Sequence, residues 1–253
     1  MKRLLLIVLP LLLIVGCSKP LDDDTLLDRN GIKYEQNKQE PYNGRVFGLH
    51  PSGKKKLDGN YKNGKKIGVW TIFYDNDKNN KFKENIYENG KLSGLVEWYD
   101  NGHKKYEGSI DKYGKKLGHW IKWYENGEKF SQANYINERL DSTYIEWYEN
   151  GQKRLETNYL NGMLDGPYSE WYINGQKKTE KVYKNNGVSG GGDWIEWYDN
   201  GQKSLEIEKG YLNYEEGGSY IEWHKSGEKR MERIIENGEG KDIYRSKNQK
   251  SIF

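Results

Sequence analysis

The sequence predicts an all-β chain, an elongated antiparallel meander of about eight stacked β-hairpin repeats of 24–26 residues each. Three observations lead there. A word, Glu146-Trp147-Tyr148-Glu149-Asn150-Gly151-Gln152-Lys153, recurs along the chain. Taking its Trp as position 0, the copies are anchored at 49, 73, 98, 123, 147, 171, 197 and 223. A period this steady signals a repeat array. Runs of aromatic and β-branched residues between Asn-Gly turns call for strands, two per copy. Composition agrees: 34% of residues are hydrophobic and mean hydropathy is -1.08, with much of the apolar surface in 21 Tyr and 9 Trp. That is too little aliphatic material for a thick core, but enough for units that bury one face against neighbours.

The N-terminus reads as an address. Lys2 and Arg3 precede an apolar run from Leu4 to Val15, twelve residues that are too few to span a bilayer as a helix, which takes about 20. Residues 1–16 fit a secretory signal peptide. Leu13-Ile14-Val15-Gly16-Cys17 resembles the bacterial lipobox, which implies lipidation of Cys17, the one cysteine of the chain. Residues 17–40 carry no repeat and an acidic run, Asp22-Asp23-Asp24, and are expected to be a polar tether with a short ordered piece at Gly31 to Tyr34. Residues 41–253 are the array, with Ile243-Tyr244 starting a truncated unit that caps it.

Within a copy, side-chain bookkeeping selects the turn. A type I turn followed by Gly in the left-handed region gives a three-residue loop, and pairs Trp(0) with position +6, Glu(-1) with +7 and Ile(-2) with +8. Glu97 then faces Lys105, Glu146 faces Arg154, Glu170 faces Lys178 and Glu222 faces Arg230. In this register Trp98, Trp123, Trp147, Trp171, Trp197 and Trp223 form a structural seam with the residues at -2, +8 and +12. Linkers between hairpins are again Asn-Gly, as at Asn63, Asn89 and Asn161.

Trp-Tyr-x-Asn-Gly-x-Lys-x-x-Glu and Tyr-x-Asn-Gly-x-x-x-Gly, repeated over residues 41–245, resemble the bacterial variant of the MORN repeat found in YwqK-type antitoxin proteins. The resemblance implies hairpin stacks used as scaffolds or binding surfaces. The antitoxin label implies that some relatives neutralise a partner protein.

Chemistry is not suggested by the residue pattern. No nucleophile, phosphate-loop or zinc-protease motif occurs, and the acidic residues at +9 (Asp58, Glu107, Glu156, Glu180, Glu206, Glu232) recur once per copy, as a structural row does. His50, His103, His119 and His224 are read as tolerated surface substitutions, so no metal, cofactor or catalytic residue is expected. A net charge of +3 carries no basic stripe, which argues against nucleic acid. The candidate binding face is a strip of Tyr144, Tyr148, Tyr168, Tyr172, Trp194 and Tyr198, suited to protein docking or to stacking on sugars. The expected function is a non-enzymatic lipoprotein scaffold at the bacterial envelope, in the outer membrane or on the cell surface. Its expected contacts are the membrane through Cys17 and a protein partner. A glycan-binding surface protein and an immunity protein against an exported toxin are the alternatives.

Overall fold

The computed structural model describes residues 19–188, 193–208, 217–236 and 239–245. The expected signal peptide and Cys17 lie outside the described residues. Among the described residues twenty strands form one sheet. From the strand Gly44–Leu49 to the strand Glu239–Arg245, each hairpin strand pairs antiparallel with the next along the chain. No described pairing joins the ends, so the sheet is an open meander and not a barrel. Among the described residues no helix is long and apolar enough to cross a membrane.

The hairpin turn is the expected one. In the copy anchored at Trp147, Gly151 N–H donates to Tyr148 O at 2.9 Å, Tyr148 N–H donates to Gln152 O at 2.8 Å, and Gly151 has φ 80°. Linkers differ: Asn63-Gly64 (φ 50° and 69°), Asn89-Gly90 (49° and 83°) and Asn161-Gly162 (53° and 86°) have both residues left-handed, as two-residue type I′ turns require.

The register departs from expectation one residue beyond the turn. Trp147 pairs with Lys153 as predicted, but Glu146 pairs with Leu155 and Ile145 with Glu156. A β-bulge at +7 recurs in all eight copies, between Glu146 and Trp147 here and at the equivalent step elsewhere; the copy anchored at Phe73 has a loop two residues longer, so its Lys81, Phe82 and Glu84 stand for +6, +7 and +9. It sets Arg154 and Leu155 together against Glu146. The predicted ion pairs still form: Glu97–Lys105 and Glu170–Lys178 at 3.1 Å, Glu222–Arg230 at 3.2 Å, and Glu146–Arg154.

The bulge redistributes the seam. Positions +8 and +12 lie on the face opposite Trp(0), so the expected grouping of Trp147 with Leu155 and Tyr159 does not occur. One face, here the Trp face, carries positions -2, 0, +6 and +9. The other, the Tyr face, carries -3, -1, +1, +7, +8, +10 and +12. The buried residues gather on the Tyr face, including Trp70 and Trp120 at -3, Val46 at the same position, and Ala133 and Thr157 at +10. Trp98, Trp123, Trp147, Trp171, Trp197 and Trp223 are each half-buried.

The segment expected to be a tether is folded onto the first copies. Leu21–Asp22 pairs parallel with the strand Gly44–Leu49, and Leu27–Arg29 with Ile32–Tyr34 makes a small hairpin. Leu26 is buried in a cluster with Tyr42, Val46, Tyr61 and Trp70, and the Tyr61 hydroxyl donates to Asp23 at 3.0 Å. A first repeat has no preceding neighbour, and this segment covers the apolar surface that would otherwise face water.

Candidate functional site

The Tyr face is assembled from copies joined by side chains as well as by the ladder. Each tyrosine at +1 donates its hydroxyl to the carbonyl of the next copy's anchor: Tyr74 to Trp98 at 3.0 Å, Tyr99 to Trp123 at 3.1 Å, Tyr124 to Trp147, Tyr148 to Trp171 and Tyr172 to Trp197 at 2.8 Å, and Tyr198 to Trp223 at 2.9 Å. His50 stands in the same position, and its Nε2 contacts the Phe73 carbonyl at 3.0 Å. That histidine is therefore a working substitute for tyrosine and not a neutral surface change.

The turn asparagine makes a second link. In the same copy Asn150 accepts from Gln152 N–H at 3.0 Å and donates to the Ile173 carbonyl of the next copy at 3.2 Å. Asn101, Asn126, Asn174 and Asn200 repeat both contacts.

At -1, a glutamate is drawn below the surface and satisfied from two sides. Glu146 is only 8% exposed, and takes the Tyr144 hydroxyl and the Arg154 guanidinium. Tyr168 and Lys178 do the same for Glu170, and Tyr220 and Arg230 for Glu222. In the copy anchored at Trp98, Leu95 occupies -3, and Tyr106 at +8 supplies the hydroxyl to Glu97 instead. Burial and the Glu97 hydrogen bond push the Tyr106 phenol up to about 12. Burial alone would raise the Glu170 carboxyl. The Tyr168 hydroxyl and the Lys178 ammonium override it and hold the group below its usual range. Where +7 is Phe, the partner at -1 changes too: Ile72 accompanies Phe82 and Lys122 accompanies Phe130, while the rings pack on Tyr74 and Tyr124 at 5.0 and 5.1 Å.

All six candidate binding residues lie on this face, and the polar end of each is engaged. Tyr144 and Tyr168 donate to Glu146 and Glu170, Trp194 Nε1 donates to Glu196 at 3.1 Å, and Tyr148, Tyr172 and Tyr198 belong to the carbonyl ladder. Ring surfaces remain as walls of two shallow hollows. One, of about 520 Å³, is lined by Tyr168, Tyr172 and Tyr198 with Glu170, Lys178 and Lys181. The other, of about 540 Å³, is lined by Leu95, Tyr99, Tyr106, Trp120 and Phe130 with Lys105, Lys116 and Lys122. Sequence reasoning missed this second hollow, because its apolar residues come from unlike positions in two copies.

It also missed what holds Trp70 and Trp120 in place. A Cβ on Gly59 would fall 2.3 Å from the Trp70 ring, and one on Gly108 would fall 2.2 Å from the Trp120 ring. Their indoles donate to the Asn60 and Ser109 carbonyls at 3.2 and 2.9 Å. The signal was the co-occurrence of Gly at +10 with Trp at -3 of the following copy.

The Trp face is a different surface. The lysine at +6 lies over the anchor ring of the next copy, as Lys104 over Trp123 at 5.4 Å and Lys153 over Trp171 at 5.3 Å. The same lysine meets the acid at +9, as Lys153 meets Glu156 at 2.6 Å. Rows of cation and ring thus pack against one another along this face.

Residues 116–137 and 140–161 match the MORN repeat variant, so each matched span is one of the hairpins described above. No curated protein matches the chain. Among solved structures, "Crystal Structure of TcdB2-TccC3-Cdc42" shares 8% identity over 84% of this chain and 13% of that chain, with a TM-score of 0.23. "Crystal Structure of TcdB2-TccC3" shares 9% identity over 85% of this chain and 15% of that chain, also with a TM-score of 0.23. The chain therefore spans about one seventh of the length of these two proteins.

Proposed function

We propose that the chain is a non-enzymatic lipoprotein scaffold, held at the bacterial envelope by Cys17, whose Tyr face receives another protein. The observation that carries this reading is the state of the aromatic side chains. Their rings wall the two hollows while their hydroxyl and indole groups are committed to internal hydrogen bonds. Such a surface offers apolar contact in a charged surround, the pattern of an interface with an apolar centre and a polar rim. Sugar recognition draws on neutral hydroxyl and indole groups aimed outward as well as on ring faces, and here the hydroxyl and indole groups of the strip are taken up by internal bonds, leaving charged side chains such as Lys178 and Lys181 around the rings. The rigidity supplied by the tyrosine and asparagine links lowers the ordering cost of docking.

Crosslinking in intact cells followed by purification of the full chain tests the reading. A partner captured by wild type and lost on Phe130→Ala or Tyr172→Ala, with hydrogen exchange elsewhere unchanged, supports it. Capture of envelope glycan in place of protein would sink it. A secreted toxin as the captured partner would turn the scaffold reading into one of immunity. In the same cells Cys17→Ser is expected to move the chain out of the membrane fraction.

A further inference from the structure

The chain contains its own comparison for one crevice near its N-terminal end. Gly90 and Glu138 hold equivalent places, each second in the linker turn that follows its repeat. Gly90 N–H donates to Lys66 O at 2.9 Å, and Glu138 N–H donates to Lys116 O at 3.3 Å. The lysine pairs Lys65-Lys66 and Lys115-Lys116 are therefore equivalent as well. In the later copy the Glu138 carboxylate meets Lys115 at 3.1 Å, so the fold there sets an acid against the lysine pair. In the earlier copy glycine replaces that acid, and a Cβ on Gly90 would stand 3.2 Å from the Lys65 Cβ.

The earlier site gains cations instead. A crevice of about 350 Å³ is lined by Lys33, Lys65, Lys66 and Lys91, with Asp28 as the carboxylate on its wall. Asp28 lies 3.7 Å from Lys33. Asp23 accepts from the Tyr61 hydroxyl at 3.0 Å. The wall is fixed by main-chain bonds: Lys33 N–H to Gly64 O at 3.0 Å, with Tyr42 N–H to Lys33 O and Gly64 N–H to Tyr42 O at 2.8 Å. Lys66 is held in position, its ammonium 4.2 Å from the Trp70 ring centre and 5.4 Å from that of Tyr87. Burial lowers its pKa, Asp23 opposes the shift and Lys33 adds to it. Each of these conditions improves when an anion enters.

We infer that this crevice binds a phosphate group, which takes the place that the Glu138 carboxylate holds in the later copy. Four ammonium groups against two carboxylates, Asp28 on the wall and Asp23 bonded to Tyr61, favour a multiply charged anion, and lysines act on phosphate as point charges without demanding a fixed fork geometry. A soluble phosphate compound and a phospholipid headgroup present the same chemistry.

Calorimetric titration of the full chain with inorganic pyrophosphate at low salt is the test. One site is expected, weakening as salt rises. Gly90→Glu installs the later copy's acid, and Glu138 at φ 65° against 83° for Gly90 shows that the turn accepts it. That variant should lose affinity by about tenfold or more, equivalent to about 1.4 kcal/mol. Lys33→Ala, on the separate hairpin, should weaken binding severalfold, and Glu138→Gln should leave it unchanged. Competition by phosphatidylglycerol vesicles would assign the phosphate to a headgroup, and its absence would assign it to a soluble compound. No binding at millimolar pyrophosphate overturns the inference. So does equal affinity in Gly90→Glu and Lys33→Ala chains that melt like wild type.

Discussion

Gly108 has extended backbone, so replacing it with Ala adds a methyl group without backbone strain. The added carbon would lie 2.2 Å from Cδ2 and 2.3 Å from Cε2 of Trp120, a ring only 7% exposed. The indole must move, at an overpacking cost of about 1–3 kcal/mol. Movement also threatens its 2.9 Å bond to the Ser109 carbonyl, a loss of about 1 kcal/mol. Gly108→Ala should therefore destabilise this region by about 2–4 kcal/mol. Later copies supply the remedy: Tyr168 lies opposite Thr157, and Tyr144 follows Ala133 in the same way. The double variant Gly108→Ala with Trp120→Tyr should recover about 1–2 kcal/mol relative to the sum of the single changes. Long arrays need not unfold in one step, so the assay is native-state hydrogen exchange of amides in Lys104–Ile110 and Lys116–Trp123. Unchanged protection in Gly108→Ala, or strict additivity in the double variant, would refute the packing argument.

Other consequences are open to measurement. Tyr148→Phe removes the hydroxyl that reaches the Trp171 carbonyl at 2.8 Å, and should cost about 0.5–1.5 kcal/mol, read as lost protection on both sides of that junction. Equal protection would show that the ladder carries no free energy. The Asp58 carboxyl is lowered chiefly by its hydrogen bond from Arg45, and the Glu170 carboxyl is lowered against the pull of burial. A carboxyl depressed on folding stabilises the fold above its unfolded pKa, 3.8 for Asp58 and 4.5 for Glu170, and that stability is lost as pH falls through the folded value. Urea midpoints should therefore drop below about pH 4.5, and Tyr168→Phe should move the Glu170 titration upward in carboxyl NMR. A midpoint flat from pH 6 down to about pH 3 would contradict this.

Repeat number, two strands per copy and the hairpin turn were legible because they depend on local chemistry: Asn-Gly has few backbone options, and an alternating aromatic run suits a strand. The face assignment was not legible from alternation alone. A bulge at +7 adds one residue and exchanges the faces of everything beyond it, so Leu155 and Tyr159 left the predicted seam although Trp147 and Lys153 paired as expected. A clue was present in the spacing of Lys153 and Glu156, three residues apart. On a regular strand that spacing puts two side chains on opposite faces, and the recurrence of Lys and acid at +6 and +9 in seven copies makes sense only with an extra residue between them. The Tyr strip was legible as a shared face. Its hydroxyls' partners were not, because they belong to the next copy.

Asparagine followed by glycine is the step at which polypeptides age. The glycine nitrogen attacks the carboxamide carbon, ammonia leaves, and water opens the ring to aspartate or isoaspartate. In this chain the turn asparagines carry their own protection against that chemistry. Gly151 N–H is already donated to Tyr148 O, while the Asn150 carboxamide is held at its oxygen by Gln152 and at its nitrogen by Ile173. The Asn-Gly steps that link the copies are thus restrained at both the attacking nitrogen and the carboxamide. Conversion of one to aspartate would set a carboxylate against the next copy's carbonyl, so the service life of the array is set by how long its turns stay shut.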